Sequence, residues 1–335
     1  MTASSAPAHL GASLEFCREI LPHVSRTFAL TIPVLRDPLR DQVCVAYLLC
    51  RIADTVEDRP DLAPPMRRAL FACLMHLAAD PRSPVARHDL QAMWPPLDDE
   101  HHERLVRHAA DVLDPYADLE EAPRRAIACC LTEMIAGMAA YPGPAETGGT
   151  THACRDAEDL ERYCHAVAGT VGILLTRLFA MQLEDPAWLN AERLEDGRRF
   201  GLGLQLTNIL KDQAADRSRG VTYMPRDHLD PASGTPTREG LAACLGAAVG
   251  HLEAAERYAL SLPASCADMR LFCLWAAHLA LATLGRIAGH HPGEGPPKVE
   301  RAEVARILDR ARERVADDDA LEALFAQYRA AVFAR

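Results

Sequence analysis

Apolar residues recur at helical spacing along nearly the whole chain, and the alternating β-branched runs that form strands are almost absent. This pattern restricts the fold to helices packed on helices. The segments that carry it are roughly 14–21, 38–55, 66–79, 99–113, 122–141, 156–181, 187–216, 238–262, 265–288, 301–316 and 320–333. Because no segment repeats at a fixed period and no long linker divides the chain, we predict a single all-α domain over residues 1–335.

Charge and cysteine content narrow the class of protein further. Acidic residues outnumber basic ones by 47 to 36, which argues against a surface whose main task is to bind nucleic acid. The 11 cysteines are scattered without a CxxC pair, as expected for reduced thiols in the cytosol. Residues 1–14 lack the pattern of a secretory signal, and the apolar stretch 271–284 is too short to span a bilayer. We therefore expect a cytoplasmic protein without a transmembrane segment, with at most peripheral membrane contact.

A first acidic cluster lies at the end of the apolar helix predicted over 38–55. Asp54, Glu57 and Asp58 are spaced i, i+3 and i+4, so their carboxylates share one helical face. Like charges at this spacing destabilise a helix, and the negative end of the helix dipole adds to the cost. Arg51 precedes the cluster by three residues and lies on the same face.

A second polar stripe runs along the helix predicted over 187–216. Its members, at i, i+3, i+7 and i+11, are Gln205, Asn208, Asp212 and Asp216. Three cations flank the stripe, namely Lys211, Arg217 and Arg219.

Two carboxylate-rich helix ends suit a hard divalent cation. Magnesium prefers oxygen ligands and typically bridges carboxylates to substrate phosphates, so an acidic site can hold a diphosphate through the metal. The flanking cations, together with Arg26 and Arg51, could clamp the oxygens of a departing diphosphate. Either cluster alone fits a solvated helix end equally well, and each cation alone fits an intrahelical ion pair. Taken together, the two clusters favour a shared metal site.

A third segment, 163–172, reads as an apolar helix that begins at Tyr163 and contains Gly169 and Gly172. Each glycine costs about 1 kcal/mol in a helix interior, which indicates close approach of a ligand or, more commonly, of another helix. Tyr163 would place a phenol inside an apolar cavity.

Together these segments resemble the squalene and phytoene synthase family, the head-to-head branch of the trans-prenyl diphosphate synthases. The matching residues are Ser25–Ala29, Val43–Asp58, Tyr163–Phe179 and Gln205–Pro225. Residues 163–169 and 54–58 look closest to squalene synthases. The resemblance implies an all-α prenyl synthase fold with a central cavity.

The resemblance also implies a role for each matching residue. Magnesium would be held by Asp54, Glu57, Asp58, Asn208, Asp212 and Asp216. Substrate would be bound by Ser25, Arg26, Phe28, Tyr47, Gln205, Arg217 and Arg219, with Phe28 and Gln205 bordering the cavity. The catalytic residues would be Tyr163, Arg51 and Lys211, where Tyr163 matches the tyrosine assigned to proton handling or cation stabilisation.

For this family the implied reaction is condensation of two farnesyl diphosphates to presqualene diphosphate, followed by hydride transfer from NADPH to give squalene. The alternatives are a member that stops at presqualene diphosphate, makes dehydrosqualene or phytoene, or transfers a prenyl group to another acceptor. A non-catalytic helical assembly factor is a further alternative. Three positions depart from the usual family pattern: Lys211 and Val221 each replace an arginine, and Ala215 replaces a glutamate.

Overall fold

The computed structural model describes residues 8–59, 61–143, 149–290 and 297–334, and it confirms the all-α class. The described chain divides into two compact units, Met1–Ala140 and Tyr141–Arg335. The predicted single domain over residues 1–335 stays a prediction, because a division into two compact units does not decide whether the units fold together.

The first unit is built around a buried central helix. In chain order its elements are α1 (Ala8–Val24), α2 (Phe28–Thr31), a 3₁₀ turn (Ile32–Val34), α3 (Leu39–Glu57), α4 (Pro64–Ala79), α5 (Pro84–Met93), α6 (Glu100–Arg107), α7 (Ala109–Asp118) and α8 (Glu121–Ala140). Helix α3 packs against α1, α7 and α8, and its side chains Val45, Leu48 and Ile52 are almost fully buried. This environment explains why the sequence of α3 is apolar on nearly every side until the acidic cluster begins.

The second unit packs its helices around α11 and α13. Its elements are β1 (Thr151–His152), α9 (Ala157–Cys164), a π-helical turn (His165–Gly169), α10 (Thr170–Leu183), α11 (Ala191–Ser218), β2 (Val221–Thr222), a 3₁₀ turn (Arg226–His228), α12 (Arg238–Ser261), α13 (Ala267–Ala288), α14 (Arg301–Arg314) and α15 (Asp318–Phe333). Helix α11 contacts α10, α12 and α13. It therefore presents the second polar stripe from the middle of the unit.

Glycines allow an unusually close approach between α10 and α11. A Cβ at Gly172 would lie 1.9 Å from the carbonyl oxygen of Gly197, and a Cβ at Gly201 would lie 2.2 Å from that of Ala168. No side chain fits at either position. The glycines of the 163–172 segment thus serve contact with another helix, the commoner of the two explanations that the sequence allowed.

Two short parallel strands join distant parts of the second unit. Thr151 pairs with Val221 and His152 with Thr222, and the Ala153 amide donates to the Thr222 carbonyl at 2.9 Å. Val221, one of the positions that depart from the pattern which the resemblance implies, is a buried strand residue. The next residue but one, Tyr223, is held in place by this pairing.

Two helical segments among the described residues, Ala157–Leu183 and Ala267–Ala288, are long and apolar enough to cross a membrane by length and composition. Within an apolar 18-residue window of each segment, 50% of the first and 72% of the second is buried in the protein, as in the core helix of a globular protein. They are therefore weak indications of a span. The apolar stretch 271–284 lies inside α13, where the sequence predicts a core helix.

All 11 cysteines are free thiols in the structure.

Candidate active site

In the first unit, α3 aligns Tyr47, Arg51 and Asp54 along one face. Arg51 Nη2 donates to Tyr47 Oη at 3.0 Å, and Arg51 Nη1 lies 3.4 Å from Asp54 Oδ2. Tyr47 Oη in turn donates to the carbonyl of Val24, at the end of α1, at 3.2 Å. The guanidinium is thus held from both sides, next to the first carboxylate of the acidic cluster.

Burial places the first acidic cluster under electrostatic strain. The pKa of Asp54 is raised to about 6, because removal of the carboxylate from water and the charge of Asp58 together outweigh the opposing effect of Arg51. Burial alone would lower the pKa of Arg51, but Asp54, Tyr47 and Asp58 together raise it above its ordinary value. Glu57 is buried on the same helix turn. The charges of Asp54 and Asp58 therefore both act on the Arg51 guanidinium.

The segment before α3 supplies an aromatic border. Ser25 Oγ accepts a hydrogen bond from the Phe28 amide at 3.1 Å, which orders the start of α2. The ring of Phe28 then lies 5.1 Å from the ring of Tyr47, measured between centroids. Arg26 is exposed beside them. The predicted substrate residues Ser25, Phe28 and Tyr47 are thus brought together within this unit.

In the second unit, cations already accompany the acids of α11. Lys211 Nζ donates to Asn208 Oδ1 at 3.0 Å and lies 3.2 Å from Asp212 Oδ2. The buried Asp216 pairs with Arg219 Nη2 at 2.6 Å. All of these groups lie on the carboxyl-terminal half of α11, as the polar stripe predicts.

Gln205 and Arg217, the other two predicted substrate residues of α11, are both half-buried. Arg217 Nη1 donates to the carbonyl of Gly234 at 2.8 Å, so its guanidinium anchors the loop that follows β2. Its role in substrate binding stays a prediction.

The donor chemistry of the two clusters fits magnesium. Within the parts of the chain that the structure describes, no three His, Cys, Asp or Glu side chains gather as a ready-made metal group. The predicted ligands offer carboxylate and amide oxygens and no thiol or imidazole, the set that hard cations prefer. Asp54 is also a half-buried carboxylate beside Asp58, so a bound cation would relieve its unfavourable charge.

Tyr163 is buried within a cluster of three tyrosines, Tyr141, Tyr163 and Tyr223, which we call the tyrosine cluster. The Tyr223 ring stacks on it at 4.5 Å and 20°, and the Tyr141 ring meets it edge to face at 5.1 Å and 73°. One face of the Tyr163 ring is therefore covered by Tyr223.

Sequence reasoning missed Tyr141 and Tyr223 as site residues. Tyr223 lies inside the matching segment 205–225, which is a signal that could have identified it. Tyr141 follows α8 without any motif, and only the fold brings it to Tyr163.

Comparison with known proteins gives the family. The squalene/phytoene synthase family model matches residues 21–305. Squalene synthase of Rattus norvegicus is 31% identical over 224 residues, which cover 65% of this chain and 48% of the rat protein. Squalene synthase of Schizosaccharomyces pombe is 32% identical over 219 residues, covering 63% of this chain and 44% of the yeast protein. The match thus spans about half the length of these relatives.

Solved structures agree with the fold. The structure of TcSQS in complex with the ligand BPH1237 superposes with a TM-score of 0.78 at 26% identity and covers 97% of this chain and 92% of that one. A dehydrosqualene synthase in complex with a ligand shares the fold with a TM-score of 0.62 at 19% identity, covering 91% and 97% of the two chains. The helices described above therefore form the all-α isoprenoid synthase fold. The chain belongs to the squalene/phytoene synthase family, whose members are prenyltransferases that act on prenyl diphosphates.

Proposed function

We propose that this protein is a magnesium-dependent farnesyltransferase of the squalene synthase type. Two farnesyl diphosphates condense head to head to presqualene diphosphate, with release of one diphosphate and one proton. Presqualene diphosphate then loses its diphosphate, rearranges and accepts hydride from NADPH, which leaves squalene and NADP⁺. The observation that carries the proposal is the half-buried Asp54 beside Asp58 and Arg51 on α3, a carboxylate group suited to a cation that binds diphosphate.

Each group of side chains has a task in this proposal. Magnesium, when bound, would supply the positive charge that stabilises the departing diphosphate. Arg51 and Lys211 would donate to diphosphate oxygens, and each already lies beside a carboxylate of its acidic motif. The tyrosine cluster would keep the Tyr163 phenol out of bulk water. Loss of diphosphate leaves an allylic cation, and exclusion of water near this phenol would protect the cation from hydrolysis.

A second candidate is a member that makes presqualene diphosphate or dehydrosqualene without the reductive step. Val221 is the observation that favours it, because a buried strand residue stands where the family usually carries an arginine. The product formed with NADPH present separates the two candidates.

The test is incubation of the purified protein with farnesyl diphosphate and magnesium, with and without NADPH. The released diphosphate is quantified, and the product is identified by its mass. We expect diphosphate release in both arms and squalene only with NADPH. Asp54→Ala and Asp212→Ala should abolish turnover with the helical circular dichroism intact, whereas Asp89→Ala, at an exposed aspartate of α5, should not. Absence of diphosphate release in either arm would contradict the proposal.

We also propose a cytoplasmic enzyme with peripheral membrane contact, because a product that is a long hydrocarbon must leave for an apolar phase. Cell fractionation tests this. We expect the protein in the soluble fraction, with a minor share on membranes that high salt or carbonate removes. Retention on carbonate-washed membranes would contradict it.

A further inference from the structure

Tyr141 is tied to the helix that carries Tyr163 at two points. Its hydroxyl donates to the backbone oxygen of Asp159 at 3.1 Å and to Asp159 Oδ1 at 3.2 Å. Its ring meets the Tyr163 ring edge to face at 5.1 Å. Asp159 and Tyr163 are one turn apart on α9, so a single side chain spans the helix turn that presents the phenol.

Asp159 is a rigid anchor for that contact. It is buried, and its Oδ2 accepts from the Arg155 amide at 3.1 Å and from Arg155 Nε at 3.0 Å. Its Oδ1 also accepts from Arg162 Nη2 at 3.1 Å. The hydrogen bonds from Arg155, with help from Arg162, hold the pKa of this carboxyl well below its usual range, so it stays an ionised acceptor. The Tyr141 hydroxyl is therefore fixed by a charge-assisted hydrogen bond.

A second contact to the Tyr163 ring comes from Tyr223, which stacks on one of its faces. Tyr223 follows β2 directly, and the pairing of β2 with β1 sets its position. The Tyr163 ring thus contacts one ring that follows a strand pair and another whose hydroxyl is bound to a buried carboxylate. Edge-to-face contact favours particular orientations of two aromatic rings, so the Tyr141 contact can select one orientation of the Tyr163 ring.

We propose that Tyr141 is a positioning residue for Tyr163: its hydroxyl bond to Asp159 sets the orientation in which the Tyr163 phenol meets the reacting prenyl chain. This role rests on the proposed function, in which Tyr163 handles a proton or stabilises a cation. Tyr141 itself touches neither substrate nor diphosphate in this proposal and acts through Tyr163 alone.

A double-mutant cycle tests the proposal. Tyr141→Phe keeps the ring and removes its bond to Asp159, and we expect kcat for diphosphate release to fall about tenfold while KM stays within about twofold. In the Tyr163→Phe background the same substitution should change kcat by less than about twofold, because the hydroxyl that it positions is already gone. An equal loss of kcat in both backgrounds, or no loss in either, would overturn the proposal.

Tyr116→Phe is the matched control for loss of a buried hydroxyl bond. Tyr116 is fully buried in the first unit and donates to the Ala78 carbonyl at 2.6 Å. Its substitution should lower the melting temperature without the change in kcat that Tyr141→Phe produces. If Tyr116→Phe and Tyr141→Phe lowered kcat alike, the effect of Tyr141 would be one of general stability.

A readout independent of turnover separates this proposal from the proposed function. Ring-labelled tyrosine gives an NMR signal for Tyr163 that is identified by its loss in Tyr163→Phe. We expect this signal to broaden or split in Tyr141→Phe, because the ring gains a second orientation. An unchanged signal would refute the positioning role even in an active enzyme. A changed signal in a protein that releases no diphosphate would leave the positioning role standing and refute the proposed function.

Discussion

Substitution of Asp54 by asparagine should stabilise the metal-free protein while removing its activity. At neutral pH the half-buried Asp54 carboxylate carries its charge beside Asp58, and Arg51 offsets only part of the cost. Asparagine keeps the shape of the side chain and removes the charge. The structure therefore predicts that a residue assigned to metal binding weakens the fold when no cation is bound.

The size of the effect follows from the pKa of Asp54. A rise from 3.8 to about 6 corresponds to about 3 kcal/mol of destabilisation at pH 7. Because 26% of the side chain remains exposed, solvent screening reduces this, and we expect a gain of about 1–2 kcal/mol. The folded pKa lies above the unfolded one, so the stability that this group contributes is complete below pH 4 and is lost as the pH rises through 6. The gain from asparagine should therefore vanish at pH 4.

Urea unfolding of the two proteins in a chelator, at pH 7 and at pH 4, measures this difference. Asp89→Asn, at an exposed position of α5, serves as the control and should change little at either pH. Added magnesium should stabilise the unsubstituted protein more than Asp54→Asn. A lower midpoint for Asp54→Asn at pH 7, or a gain that persists at pH 4, would refute the reasoning.

Three further substitutions probe the fold and the second acidic motif. Gly172→Ala should cost about 1–3 kcal/mol in urea unfolding, because its Cβ would collide with the Gly197 carbonyl, whereas Gly246→Ala, in open space on α12, should not destabilise. Arg270→Met should lower the free energy of unfolding by about 3–5 kcal/mol. The buried Arg270 guanidinium donates to the carbonyl of Leu262, between α12 and α13, and to that of Val315, between α14 and α15. A loss below about 1 kcal/mol would contradict this role. Lys211→Arg should keep diphosphate release within about tenfold and Lys211→Met should lose more, so equal activities would show that no cation is needed there.

The periodic pattern located most helices because burial decides both the pattern and the fold. Helix α3 is the clearest case: its apolar run predicts residues 38–55, and the helix spans Leu39–Glu57. The predicted helix over 99–113 is instead two helices, α6 and α7, which meet at His108. Helix α5 was not predicted, although Ser83 caps it and Pro84 opens it, which are recognisable start signals. The paired strands, two residues each, are too short to carry a period.

The site shows a different division between what sequence can and cannot predict. The three-residue spacing of Arg51 and Asp54, and of Asn208 and Lys211, predicted neighbours because a helix fixes such distances locally. Contacts between elements have no such rule. The approach of Tyr141 to Asp159 depends on how the chain after α8 returns to α9, and no local pattern encodes it.

The π-helical turn between Tyr163 and Gly172 has a consequence for the phase of this long helical segment. A π turn holds one residue more than an α turn, so the helices on its two sides are offset by about 100° from a continuous α-helix. Because of that offset, one helical segment can direct Tyr163 towards Tyr141 and Tyr223 and can also direct Gly172 towards α11. The orientation of Tyr163 relative to Gly172 therefore depends on the number of residues in the π turn. Deletion of one residue from this turn would rotate Tyr163 relative to Gly172 by about a quarter of a turn, although the sequences of α9 and α10 would be unchanged.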